Sequence, residues 1–150
     1  MFLNKETFST VIESTPLVSI DLVIKNQQGQ ALLGQRLNRP AKDFWFVPGG
    51  RILKSESLAD AFERLTLEEL GQEFSIKQAS LLAPFDHFYD DNVFGEDFST
   101  HYVAIAYVLT LECALEKLPL NIQHGNYQWF NIDELMQLDN VHQHTKNYFL

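Results

Sequence analysis

The chain has 150 residues, 45% of them hydrophobic and 21% charged, and a formal net charge of −9. That is enough chain for a single domain, 1–150, with a proper core, and the acidic balance argues against a nonspecific grip on nucleic acid. The single cysteine, Cys113, excludes an internal disulfide and fits a reducing cytoplasm; no apolar run approaches membrane-spanning length, and no basic segment followed by an apolar run opens the sequence, so neither a membrane partner nor a signal peptide is expected.

Residues 4–13 read as a short helix with Phe8, Val11 and Ile12 on one face, ended by Thr15-Pro16. This arm, 1–16, is able to lie on its own domain or on a second subunit. Residues 17–24 alternate as a strand through Val18, Ile20, Leu22 and Ile24. Asp21 falls on the other face of that strand, which is either solvated or turned to use. A turn at Gly29 leads to a strand over 31–35, and a polar loop over 36–43 leads to the aromatic segment FWFVPGG. Pro48-Gly49-Gly50 reads as a turn. All four arginines, Arg36, Arg39, Arg51 and Arg64, fall in this middle segment, and the arginine fork suits phosphate.

Ser57 with Asp60 three residues on marks a helix start, and Gly71 suits the left-handed position just past its end. Leu58, Ala61, Phe62 and Leu65 define one apolar face, and one further turn along that face comes Glu69. A carboxylate at the end of a packed stripe is desolvated unless something positive meets it, which makes Glu69 the best metal-ligand candidate. Arg64 lies four residues from both Asp60 and Glu68, the spacing of helix-surface ion pairs. Residues 73–82 read as a strand, 84–98 as an aromatic and acidic working loop whose carboxylates form a solvated rim, 100–111 as a strand, 112–126 as a long connection and 127–130 as a short strand. Asn131 with Glu134 caps a short helix and Asn140 starts a last one, on which His142 and His144, two apart, read as surface residues.

Gly50, Glu56, Arg64, Glu68, Glu69 and Gly71 stand at the spacing of the Nudix box, and the chain resembles the Nudix hydrolases, which act on nucleoside diphosphates linked to another group. Leu65 stands where the box has the glutamate after its arginine. Because Leu65 and Glu69 are four apart on one helix line, this chain presents one carboxylate where most of the family presents two stacked ones. A lean site for one Mg²⁺ is expected, since Mg²⁺ commonly uses one or two protein carboxylates plus substrate phosphates. That departure, with STPLVSID, LLGQRLNRPAKDFWFVPGG, FERLTLEELG, HFYDDN, THYV and a Gln-His pair before Tyr-x-Trp, is similar to the GDP-mannose mannosyl hydrolase branch.

The resemblance implies an α+β Nudix fold with a mixed sheet sandwiched between helices, a homodimer, and GDP-mannose or GDP-glucose as substrate. It implies Gly49 (through its carbonyl), Glu69 and Gln123 as metal ligands, with Glu68 as a weak extra ligand or a water-facing residue. It makes Glu56 and Arg64 supports of the box, His124 the base that takes a proton from water, Asp21 a contact to sugar hydroxyls or a nearby arginine, and Arg36, Arg51 and Tyr102 the groups that stabilise a departing GDP. Attack at the anomeric carbon from the far face implies inversion. Two other readings stay open: an ordinary Nudix pyrophosphatase that breaks a phosphorus–oxygen bond, and a nucleotide-binding module without turnover.

Overall fold

The computed structural model describes residues 2–115 and 124–150, with 124 and 125 described by their backbone alone. Gln123 and the side chain of His124 therefore lie outside the described residues.

Helix α1 (Lys5–Ser14) is capped by Asn4, whose side chain accepts from the Thr7 N–H at 2.8 Å. Strand β1 (Leu17–Lys25) runs parallel to β6 (Thr100–Thr110) along its whole length. On its other edge β1 meets β2 (Ala31–Arg36) only at the hairpin end, Lys25 opposite Ala31, and pairs with β4 (Gly49–Arg51) from Ser19 to Asp21. Strand β2 also holds β3 (Trp45–Phe46) and β7 (His124–Phe130), and β5 (Ser80–Tyr89) closes the far edge against β6.

Helices cover both faces of this seven-stranded mixed sheet, as an α+β Nudix fold requires. Ile20, Leu22 and Ile24 of β1 pack with Ala61, Phe62, Leu65 and Leu70 of α2 (Leu58–Leu70). On the opposite face Val23 and Ala106 pack with Phe46, Leu135 of α3 (Ile132–Gln137), Val141 and Tyr148, around α4 (Gln143–Lys146). Helix α2 starts and stops where its end signals place it. The Ser57 side chain accepts from the Asp60 N–H at 3.0 Å, and Gly71 sits at φ 74°, ψ 5°.

Several elements differ from the sequence reading. Pro48-Gly49-Gly50 is not a simple turn, because Gly49–Arg51 is a strand paired to β1. Residues 73–82 are not one strand: Ser75 and Gln78 close a reciprocal cap around a 3-10 turn at Ile76–Gln78, and the strand begins only at Ser80. It then runs through Pro84 to Tyr89, so the loop starts after Tyr89. Proline is tolerated because β5 is an edge strand. Strand β7 begins at His124, three residues before the expected 127. The last helix starts at Gln143 behind a His142 cap, while the Asn140 carbonyl accepts from the Trp45 N–H at 2.7 Å.

Candidate active site

The site lies where β1 leaves β2 and takes β4 as its neighbour. A two-pronged ion pair fixes the loop from β4 to α2. Arg64 donates from Nε to Glu56 Oε2 at 2.7 Å and from Nη2 to Glu56 Oε1 at 2.9 Å, and Nη2 also donates to the Arg51 carbonyl at 3.0 Å. Glu56 Oε1 in turn accepts from the Leu53 N–H. The bidentate pair holds the Glu56 carboxyl below its ordinary range and the guanidinium above its own. Glu68, more than half exposed, takes a 3.2 Å contact from Arg64 Nη1 on the solvent side.

Glu69 is 2% exposed, at the end of the apolar face of α2. Its Oε1 accepts from the Gly49 N–H at 3.4 Å and its Oε2 from the Tyr127 O–H at 3.3 Å. Gly49 is required by space: a Cβ there would sit 2.3 Å from the Ile20 carbonyl oxygen and 2.9 Å from Asp21 Oδ1. Among the described residues no group of three or more His, Cys, Asp or Glu side chains is arranged to hold a metal. The buried Glu69 carboxylate and the backbone oxygens of the Gly49 strand are hard donors that suit a divalent ion completed by water and substrate.

Asp21 is opposite Gly49 in the β1–β4 pair and is buried, so its face of the sheet is not the solvated one. Its Oδ2 accepts from the Tyr148 O–H, and the same hydroxyl lies 3.1 Å from His87 Nε2. Burial pushes the Asp21 carboxyl up to about 6, against the pull of Tyr148 and the Arg36 charge. Burial also raises the Tyr102 phenol, while the charges of Arg36 and Arg51 pull it back. Arg36, Arg51, Tyr102 and Asp21 thus form one electrostatic neighbourhood. The Arg36 Nε is buried with no hydrogen-bond partner among the described residues, and its guanidinium carbon lies 5.8 Å from the Phe46 ring centre. Beside this group opens a cavity of about 450 Å³, lined by Arg39, Lys42, Phe44, Tyr89, Asp91 and His142.

His142 and His144 are not simple surface residues. His144 stacks on His87 with ring centres 4.3 Å apart, and His142 Nδ1 accepts from the His144 N–H. Burial and mutual repulsion lower His87 to about 3 and His142 to about 4. Above the unfolded-state value near 6.5 these rings cost the fold nothing; below it the unfolded chain takes up protons that the folded chain refuses, so stability falls as pH drops from about 6.5 towards 3. Asp21, raised to about 6, works in the opposite direction below pH 6. Comparison with His87→Gln isolates the ring. From pH 7 to pH 4 the wild type is expected to lose about 3 kcal/mol more unfolding free energy than the variant, read by urea denaturation; parallel losses would refute it.

The structure brings Asp21, Gly49, Glu69, Arg36, Arg51 and Tyr102 to one end of the sheet and clips Glu56 to Arg64. Tyr148, His87 and Tyr127 were missed by sequence reasoning, although His87 opens the segment HFYDDN and Tyr127 lies inside the Tyr-x-Trp pattern.

The NUDIX domain family model matches residues 15–150, and the chain belongs to the Nudix family. The Haloferax volcanii protein named low-salt glycan biosynthesis protein Agl8 is 43% identical over 126 residues, covering 83% of this chain and 77% of that one. The MutT Nudix hydrolase from Burkholderia pseudomallei superposes with a TM-score of 0.71 at 28% identity, over 90% of this chain and 96% of that one. The Nudix domain of Shewanella oneidensis NrtR, complexed with ADP-ribose, gives 0.67 at 18% identity over 99% and 97%. The protein is a Nudix hydrolase, of a family that generally uses a divalent metal such as Mg²⁺. No helix among the described residues is long and apolar enough to cross a membrane.

Proposed function

We propose that this Nudix hydrolase cleaves GDP-mannose, or its epimer GDP-glucose, at the carbon–oxygen bond of the anomeric carbon, releasing GDP and the free sugar with inversion. The observation that carries the reading is Leu65. It is 2% exposed and sits in the apolar core under α2, where the family's box has a second glutamate, so Glu69 stands alone on that helix line. The glycan-biosynthesis name of the Haloferax relative fits a nucleotide-sugar substrate. The working protein is proposed as a cytoplasmic homodimer of one-domain subunits.

Glu69, the Gly49 carbonyl and Gln123 would hold Mg²⁺, with Glu68 left to its pair with Arg64. The bound ion would neutralise the diphosphate. His124 accepts a proton from the attacking water. The water oxygen bonds to the anomeric carbon, and the electron pair of the breaking carbon–oxygen bond leaves on GDP. Asp21 holds sugar hydroxyls, while Arg36, Arg51 and Tyr102 stabilise charge on the departing diphosphate.

Product analysis in ¹⁸O-water with GDP-mannose and Mg²⁺ tests this. Label on mannose beside unlabelled GDP is expected. GMP with mannose 1-phosphate, labelled on phosphate, would show an ordinary Nudix pyrophosphatase. Tight nucleotide binding with no product at high enzyme concentration would show a binding module.

A further inference from the structure

We infer that Tyr148, in the 3-10 turn Asn147–Phe149 after α4, is a positioning residue that aims the Asp21 carboxylate at the sugar. The inference rests on the proposed reading of Asp21 as a contact to sugar hydroxyls. The Tyr148 O–H donates to Asp21 Oδ2, while Asp21 Oδ1 is turned to the strand partner Gly49, where a Cβ would meet it at 2.9 Å. Gly49 carries the carbonyl proposed to hold the metal, so Oδ1 is the oxygen on the side where a metal-bound diphosphate presents its sugar. The Tyr148 ring is itself held. It is 7% exposed and meets Phe85 of β5 edge-on with centres 4.8 Å apart. Three residues earlier, Thr145 Oγ1 accepts from the Val47 N–H at 3.2 Å. The segment that delivers the hydroxyl to β1 is therefore also pinned two residues before Gly49, and it sets the carboxylate and the Gly49 strand relative to one another.

The direction of the hydrogen bonds follows from what each group can give. A hydroxyl has one proton to donate, and a carboxylate only accepts. The bond to the ionised acceptor is the stronger one, so the Tyr148 proton lies on the Asp21 side. Burial and the Asp21 charge push the Tyr148 phenol up, so it keeps that proton. Its oxygen is left to accept from His87 Nε2, 3.1 Å away. Burial, with the neighbouring His144 and His142, holds the His87 ring uncharged at neutral pH, so it carries a single N–H, and this arrangement places it on Nε2. His87 Nδ1 lies 4.0 Å from Asp21 Oδ2, beyond hydrogen-bond reach. The chain runs one way, from His87 Nε2–H to Tyr148 and from Tyr148 O–H to Asp21, and it grips the carboxylate by Oδ2.

The test compares kcat/KM for GDP-mannose with the Kd for GDP by calorimetry, both with Mg²⁺ at neutral pH. Tyr148→Phe keeps the ring and its packing and loses the hydroxyl. It is expected to lower kcat/KM by about ten- to a hundredfold, the range of one hydrogen bond to a charged group. The GDP Kd is expected to stay unchanged, because GDP carries no mannose. In an Asp21→Asn background, Tyr148→Phe is expected to add nothing, since the carboxylate it aims is gone. Ring ¹⁵N shifts of His87 are expected to show the Nε2–H tautomer in the wild type. An unchanged kcat/KM, a GDP Kd that weakens in step with it, an equal loss with and without the Asp21 carboxylate, or an Nδ1–H tautomer would overturn the inference and leave the reading of Asp21 standing. If Asp21→Asn itself leaves kcat/KM unchanged, the sugar reading of Asp21 fails and takes the inference with it. Turnover is counted as consumption of GDP-mannose, so the bond that breaks does not enter; no consumption by the wild type would overturn both.

Discussion

Replacing Glu69 with glutamine is expected to lower turnover by about a thousandfold while leaving the protein folded. Glu69 is a fully buried carboxylate that meets the Gly49 N–H and the Tyr127 O–H, and the described residues bring no second carboxylate of the helix line beside it. The amide is nearly isosteric: its oxygen still accepts from Gly49, and the Tyr127 hydroxyl can turn to accept from its NH₂. With the shape and both of these hydrogen bonds kept, the melting temperature without metal should hold. The charge that would anchor Mg²⁺ is lost, and metal stabilisation of phosphate charge contributes several kcal/mol, of which about 4 kcal/mol corresponds to about a thousandfold in rate. Mg²⁺ binding by calorimetry should vanish with the activity. Glu68→Gln is the contrast: its partner is Arg64 on the solvent side, and turnover should stay within a few-fold. A Glu69→Gln enzyme retaining a tenth of wild-type turnover would remove Glu69 from the metal site.

What the sequence made legible was local. The Ser57 cap, the left-handed Gly71 and the stripe through Ala61, Phe62 and Leu65 depend on residues a few positions apart, and they placed α2 and the buried Glu69 correctly. The stripe's first member, Leu58, is exposed because it precedes the turn that reaches the sheet. Alternation set Asp21 between Ser19 and Val23, but whether that face was wet depended on Tyr148, 127 residues away. The histidines failed for a similar reason. Residues two apart do not share a helix face, yet His142 stands outside the helix as its cap, and extended backbone there turns it towards His144, whose ring stacks on His87 of β5. Pro84 carried a loop signal that holds for central strands and not for the edge position β5 occupies. The fold class and the box clip were readable; the Asp21–Tyr148–His87 chain, made by contacts between distant segments, was not.

His124→Gln is expected to lower kcat by about 10²- to 10⁴-fold, the range lost when a general base is removed, with Mg²⁺ affinity nearly unchanged. Strand β7 brings the His124 backbone opposite Arg36, across the register shift at Gln35 and Arg36. This sets the start of β7 beside the arginine whose buried Nε lacks a protein partner among the described residues. A histidine with a reference pKa of about 6.5 loses its base form as pH falls through that value. Wild-type turnover should therefore fall more steeply on the acid side than the residual turnover of the glutamine variant, which keeps only the contribution of groups such as Asp21, raised to about 6. Glutamine still hydrogen-bonds water but takes no proton from it, so the pH profile separates proton transfer from mere positioning of the nucleophile. A variant that keeps the wild-type acid limb at reduced rate would assign the titration to another group and leave His124 a positioning role. A variant with near-normal kcat would exclude it from the reaction and shift the search for the base to the buried cluster of Asp21, His87 and Tyr148.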